Sequence, residues 1–212
     1  IRDRTFIIKG KNYIAEVSNI GGGSIVSYAL TKHLKKSENS LNLIDGYNSN
    51  NLVVSFVNQS GEVISLDKNW SLVSGGSANL SETSPEVSFL FTTEHLGRQV
   101  TKELFFYFDS YEIDISTSLR SLKDVSLDEK YTLSWVGGLP EHEGTQDAMF
   151  MEGLISQVGS IESFRVGAAG FFGSSSSSNV DAEERRYVGQ ADFAGYRTCL
   201  LYTSDAADDL LC

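Results

Sequence analysis

The sequence predicts an all-β fold, because two-residue alternation of apolar and polar side chains dominates it and helical periodicity is almost absent. Residues 111–116 alternate Tyr or Ile with acidic residues or Ser, and residues 87–91 place Val, Phe and Phe on one face. A period of two is typical of strands that bury one face. Many short strands separated by polar turns favour a sandwich or a closed sheet.

Turn signals delimit the predicted strands. The chain has 2 Pro and 19 Gly, so we expect turns built on Gly, Asn, Ser and Asp. Gly21, Gly22 and Gly23 stand between strand patterns at residues 13–17 and 24–30, where glycine permits the positive φ of a tight connection. Further strands are predicted at residues 52–57, 62–66, 131–136 and 187–196, with strand preferred over a short helix at 145–156. Residues 98–108 and 111–119 are predicted as a strand pair or as one bent strand.

The segment 98–108 is apolar on two faces. Leu104, Phe106 and Phe108 share one face, and Phe105 and Tyr107 lie on the other. A strand with apolar side chains on both faces is expected at the centre of a sheet, between two layers.

Composition excludes several classes of partner. The formal net charge is -11, and an acidic surface repels both the nucleic-acid backbone and anionic lipid headgroups. No apolar run approaches the roughly 20 residues of a membrane helix. The chain does not begin with Met, and we expect that its start was removed or that it is a fragment.

The last residues do not follow the strand pattern. Residues 199–208 (CLLYTSDAAD) resemble the translation of a transposase-type sequencing adapter. We therefore expect a domain of residues 1–198, truncated at its C-terminal end, and a foreign tail of residues 199–212. Both cysteines, Cys199 and Cys212, lie in this tail, which excludes a disulfide scaffold or a thiolate metal site in the remainder.

Histidines are the first candidates for chemistry, and the chain has three: His33, His95 and His142. His142 lies between Glu141 and Glu143, a combination that can bind a metal ion or act as a base. Adjacent residues of an extended segment point to opposite faces, however. We therefore predict a solvated loop at this position.

Other candidates also have structural interpretations. A phosphate-binding glycine turn needs a helix directly after it, but a strand pattern follows Gly23. The charged run 183–186 predicts a solvated strand edge. Trp135 lies within an apolar strand pattern and is predicted in the core, whereas Trp70 could be core or a sugar-stacking platform. With no catalytic fingerprint in the chain, we predict no catalytic, cofactor-binding or metal-binding residue.

Four segments, in order, resemble the periplasmic domain of YidC-type membrane protein insertases. They are residues 13–30 (YIAEVSNIGGGSIVSYAL), 100–115 (VTKELFFYFDSYEIDI), 133–139 (LSWVGGL) and 186–197 (RYVGQADFAGYR). The resemblance covers residues 5–198. It implies a β-supersandwich, similar in shape to galactose mutarotase domains, on the periplasmic side of the bacterial inner membrane.

The resemblance also implies an accessory function. In this family, insertion is performed by a separate membrane core, whose hydrophilic groove lowers the cost of moving polar segments into the bilayer. The periplasmic domain has no catalytic residue or cofactor, and its implied partners are Sec translocon components such as SecDF and SecYEG. Two alternatives remain: a mutarotase-like enzyme using His95 or His142 with a Glu, and a carbohydrate-binding module using Trp70.

Overall fold

The computed structural model describes residues 1–31, 41–44, 51–127, 130–135, 152–157, 160–165 and 193–197. These residues contain fifteen β-strands, a single-turn 3₁₀ helix at Arg120–Leu122 and no α-helix. The all-β prediction is therefore confirmed. The chain divides into two compact units, Ile1–Pro140 and Glu141–Cys212, and each is described by itself.

Twelve strands in the first unit form three sheets. The strands are β1 (Thr5–Lys9), β2 (Tyr13–Ser18), β3 (Ser24–Leu30), β4 (Leu41–Asn42), β5 (Val53–Val57), β6 (Val63–Ser65), β7 (Ser71–Ser74), β8 (Ala78–Asn79), β9 (Glu86–His95), β10 (Arg98–Tyr107), β11 (Ile113–Ser118) and β12 (Thr132–Ser134). The sheet orders are β4-β3-β2-β1-β8, β11-β10-β9-β7 and β12-β5-β6. Neighbouring strands are antiparallel except β1 and β8, which are parallel.

The second unit contains one described sheet. Its strands are β13 (Glu152–Gln157), β14 (Ser160–Arg165) and β15 (Phe193–Arg197), in the antiparallel order β14-β13-β15. The strands predicted at 145–156 and 187–196 are thus confirmed in their described parts. Residues 145–151, 187–192 and the predicted tail 199–212 lie outside the described residues.

The core of the first unit lies between the five-stranded and the four-stranded sheet. The Phe6 ring of β1 lies 5.7 Å from the Phe89 ring and 6.3 Å from the Phe91 ring of β9. In strand β1, Phe6 and Ile8 are buried and their neighbours are exposed, the apolar Ile7 among them. Burial of each such side chain stabilises the fold by roughly 1.5–3 kcal/mol, so the two apolar faces hold the sheets together.

Strand β10 shows where the predicted pattern was right and where it was wrong. It is central in its sheet, between β9 and β11, and Leu104 and Phe106 are fully buried. On the opposite face, Phe105 and Tyr107 are only partly buried, so the expected second covering layer is incomplete among the described residues. The next strand begins at Ile113, because the turn after Tyr107 continues to residue 112.

A buried side chain supplies one backbone pairing of β3. Asn51, which is 1% exposed, accepts a hydrogen bond from the Ile25 N–H at 2.7 Å. Its amide donates to the Ile25 carbonyl at 2.8 Å. The Asn51 side chain therefore takes the place of a neighbouring strand, because it pairs with both the N–H and the carbonyl of Ile25. Two buried backbone groups are satisfied in this way.

Replacing Asn51 with leucine should lower the free energy of unfolding by about 2–4 kcal/mol, because two buried backbone groups lose their partner. Urea unfolding of the full chain measures the loss. Asn79→Leu, at an exposed position of β8, is the control and should change stability by less than about 0.5 kcal/mol. Equal stability of the two variants would contradict the structural role of Asn51.

Candidate functional site

A shallow depression of about 390 Å³ lies where the β10–β11 connection meets the start of β9. It is lined by Pro85, Tyr107, Phe108, Asp109, Ser110, Glu112 and Asp114. Its floor is apolar and aromatic, and its rim carries three carboxylates. This combination makes it the first place to look for ligand chemistry.

Backbone hydrogen bonds fix the walls of the depression. The Phe108 N–H donates to the Pro85 carbonyl at 2.7 Å, and the Phe108 carbonyl accepts from the Lys11 N–H at 2.8 Å. Ser110 accepts a hydrogen bond from the Glu112 N–H at 3.1 Å, the local bond by which serine favours a turn. The polar break Asp109-Ser110 therefore forms a defined connection between β10 and β11.

Two rim carboxylates are already engaged within the chain. Asp109 pairs with the Lys11 ammonium at 2.7 Å, and Lys11 also lies 5.9 Å from the centre of the Phe108 ring. Asp114 accepts a hydrogen bond from the Tyr107 hydroxyl at 2.7 Å. This bond, together with the negative charge nearby, raises the pKa of Tyr107 to about 12. These two rim carboxylates thus stabilise the connection between β10 and β11.

Buried tyrosines lie on the other side of this connection. The rings of Tyr13 and Tyr28 stack, with centroids 4.9 Å apart, and the Tyr13 hydroxyl donates to the Tyr107 carbonyl at 2.8 Å. Burial raises the pKa of Tyr13 to about 12 and raises that of Tyr28 further. Both phenols therefore stay protonated at neutral pH and act as packing and hydrogen-bonding groups.

His95, a candidate base, does not meet a carboxylate in the depression. It lies at the end of β9, in register with Arg98, and its ring meets the Phe56 ring edge-on at 5.5 Å. Arg98 in turn pairs with Asp124. The other candidates, His33, Glu141-His142-Glu143 and the charged run 183–186, lie outside the described residues.

Trp70 is a core residue. Its side chain is 1% exposed, and its indole N–H donates to the Leu66 carbonyl at 3.0 Å. A ring buried in this way cannot stack on a sugar. Of the two predicted roles for Trp70, the structure therefore supports the core residue and not the sugar-stacking platform. Trp135 is partly buried and packs against the same core, as predicted.

The burial of Trp70 predicts its fluorescence. In a Trp135→Phe background, which leaves one of the two tryptophans of the chain, the emission should be blue-shifted and almost insensitive to iodide. Urea should restore quenching to the level of a free tryptophan analogue, which serves as the internal control. Iodide quenching of the folded chain near that level would show that Trp70 is accessible.

The glycine turn has the predicted structural role. Gly21, Gly22 and Gly23 adopt φ of +59°, +74° and +107°, and strand β3 follows directly. The Gly21 N–H donates to the Lys68 carbonyl at 2.9 Å, and the Gly23 N–H donates to the Ile20 carbonyl at 3.2 Å. These donors are occupied by the chain itself, unlike those of a phosphate-binding turn.

One ionisable residue in the core was not singled out from the sequence. Lys102 of β10 is fully buried, and its ammonium position donates to the carbonyl of Gly21 at 3.1 Å and to that of Leu52. Burial lowers its pKa to about 7. One sequence feature could have identified Lys102 as buried. It precedes Leu104 by two residues and therefore lies on the same, buried face of the strand.

Within the described residues, no three His, Cys, Asp or Glu side chains lie close enough together to hold a metal ion. The same part of the chain contains no helix with the length and apolar content of a membrane span. The expectation that the domain needs no cofactor stays a prediction.

Comparison with known families identifies the chain. The family model of the YidC periplasmic domain matches residues 8–189, a range that includes every strand from β2 to β14 and the end of β1. Comparison with curated proteins and with solved structures gives no match. Since the family match extends over more than half of the sequence, the chain belongs to the YidC periplasmic domain family.

Proposed function

We propose that this chain is an accessory periplasmic domain of a YidC-type membrane protein insertase, which assists the insertion and folding of inner-membrane proteins without chemistry of its own. The observation that carries the proposal is the family match over residues 8–189. Membership supports an accessory domain of a membrane insertase on the periplasmic side of the membrane. The finer statements, on assistance and on the absence of chemistry, are our inference.

The side-chain geometry supports a non-catalytic function. At the depression, Asp109 pairs with Lys11 and Asp114 binds Tyr107. Both carboxylates therefore serve structural contacts, whereas catalytic carboxylates are arranged around a substrate position. The buried Trp70 likewise serves the core.

We propose that the partners are components of the Sec translocon, SecDF or SecYEG, with nascent membrane proteins reached through the insertase core. The net charge of -11 supports a protein partner over an anionic membrane surface. The purified chain of residues 1–212 should bind detergent-solubilised SecDF or SecYEG saturably, as measured by biolayer interferometry. An unrelated all-β domain of similar size and charge is the control, and equal binding of that control, or no binding of the chain, would contradict the proposal.

A sugar-binding function is the alternative, favoured by one observation. Tyr107 and Phe108 line the depression together with carboxylates, and aromatic faces with hydrogen-bond acceptors suit sugars. Titration of the full chain with monosaccharides, followed by calorimetry and by polarimetry of mutarotation, distinguishes the two. Millimolar binding that Tyr107→Ala abolishes, or mutarotation above the buffer rate, would favour the sugar-active domain.

A further inference from the structure

Lys102 joins three segments that are far apart in sequence. It lies on β10, where Phe91 of β9 and Thr117 of β11 are its neighbours in register. Its side chain reaches out of this sheet to the carbonyls of Gly21 and Leu52, which are 81 and 50 residues away in sequence. The contact therefore ties the glycine turn and the start of β5 to the centre of the four-stranded sheet.

The number of acceptors fits a neutral amine. Within the described part of the chain, the two carbonyls of Gly21 and Leu52 accept hydrogen bonds from Lys102. A neutral amine has two N–H donors and an ammonium has three. In the closed junction, a protonated Lys102 thus holds a buried charge and one more donor than these acceptors can satisfy, which favours the entry of water.

Among the described residues, no charged side chain compensates Lys102. On its own face of the sheet, the nearest described titratable positions are Arg98 and His95 at the end of the β9–β10 hairpin, four residues along the strand or about 13 Å. Glu94, Glu103 and Asp114 lie on the opposite face by alternation. Glu16 of β2 is partly buried, and Lys68, which lies beside the glycine turn, is exposed. Consistently, burial is the sole cause of the lowered pKa.

The two acceptor carbonyls lie on backbone with positive φ, which is strained at one of them. Leu52 has φ of +57°, a conformation that is unfavourable for a residue with a side chain. The glycine turn has positive φ at all three positions, and Gly22 packs on the Trp70 ring. A change in the strength of the Lys102 contacts is therefore expected to act on these segments first.

We propose that Lys102 is a proton-controlled latch: the neutral amine ties the glycine turn and Leu52 to β10, and the protonated amine favours a locally open state in which water reaches the junction. The inference concerns a conformational device of the domain. It holds or fails independently of the proposed function.

Hydrogen exchange of the full chain, measured residue by residue by NMR, tests the latch between pH 7 and pH 9. Exchange rates are corrected for the intrinsic effect of pH. Because the open state binds a proton that most of the closed state lacks above pH 7, the protection of the Gly21 and Ser24 amides should rise by up to about tenfold per pH unit, or about 50-fold in total. The Gly61 amide, in the separate Asn58 hairpin, should keep a constant protection.

Variants distinguish the latch from other titrations. Lys102→Met should make the protection of Gly21 and Ser24 independent of pH. Lys102→Arg, charged throughout this range, should hold it low at every pH. Lys11→Met and His95→Gln should leave the parent profile unchanged. A flat profile in the parent chain, an equal change at Gly61, or a pH response that persists in Lys102→Met would each overturn the proposal.

Discussion

Replacing Gly23 with alanine is expected to lower the free energy of unfolding by about 3 kcal/mol. Gly23 has φ of +107°, a strained conformation for any other residue that costs about 1–3 kcal/mol. An added Cβ would also overlap the Leu104 side chain and lie 3.0 Å from the Phe91 ring. Overpacking of a core costs a further 1–3 kcal/mol.

Two glycine controls separate conformation from packing. Gly61 and Gly97 also have positive φ, of +82° and +72°, but no heavy atom lies within 4 Å of a Cβ added at either position. Gly61→Ala and Gly97→Ala should therefore lose only the conformational part, about 1 kcal/mol. Thermal and urea unfolding measure all three variants. If Gly23→Ala loses no more stability than the controls, the turn does not pack against β9 and β10 as described.

Lys102→Met is expected to change the pH dependence of stability by about 2–3 kcal/mol between pH 7 and pH 9. Burial lowers the pKa of Lys102 from its ordinary value of 10.5 to about 7. Over this range the unfolded chain binds a proton at this position that the native chain lacks, so the stability of the parent rises with pH, by up to about 1.4 kcal/mol per unit. Methionine has no proton to bind, and the variant lacks this slope.

The sign of this effect is the decisive part of the measurement. Below about pH 7 both the folded and the unfolded parent hold the proton. The difference in free energy of unfolding between the parent and Lys102→Met then becomes constant. Urea unfolding at pH 6, 7, 8 and 9 follows the difference, and Lys11→Met, at an exposed position, is the control with the parent slope. A parent that loses stability relative to Lys102→Met as the pH rises would show that Lys102 gains its proton on folding.

The sheets of the first unit could be predicted where alternation decides which face is buried. Phe89, Phe91, Leu104 and Phe106 lie two residues apart in each of two neighbouring strands, and all are buried. The turn at Gly21 was predictable because glycine between two strand patterns has one common use. Alternation does not give strand ends, however, and Tyr111 was wrongly included in a strand: it is 50% exposed and lies in the preceding turn.

The candidate sites were harder to predict because their character depends on contacts between distant segments. Lys102 occupies a buried position in the pattern, but a lysine is expected to be exposed unless carbonyls 50 and 81 residues away are known to reach it. Trp70 does not belong to a segment with clear alternation, so the sequence pattern does not predict its burial. In the structure, its indole N–H donates to the Leu66 carbonyl and its ring packs against the glycine turn. The depression combines residues of two segments, residue 85 and residues 107–114, which no local motif links.

The parallel pairing of β1 with β8 has a consequence for the order of folding. Strand β1 lies between β2, its neighbour in sequence, and β8, about 70 residues later. The Leu80 N–H donates to the Lys9 carbonyl at 2.8 Å, and Phe6 needs Phe89 to cover it. Contacts of such long sequence separation form slowly, because the loop must close before they stabilise the chain. During synthesis, β1 can therefore pair with β2 early, but it cannot meet β8 and Phe89 until the chain as far as Phe89 has emerged.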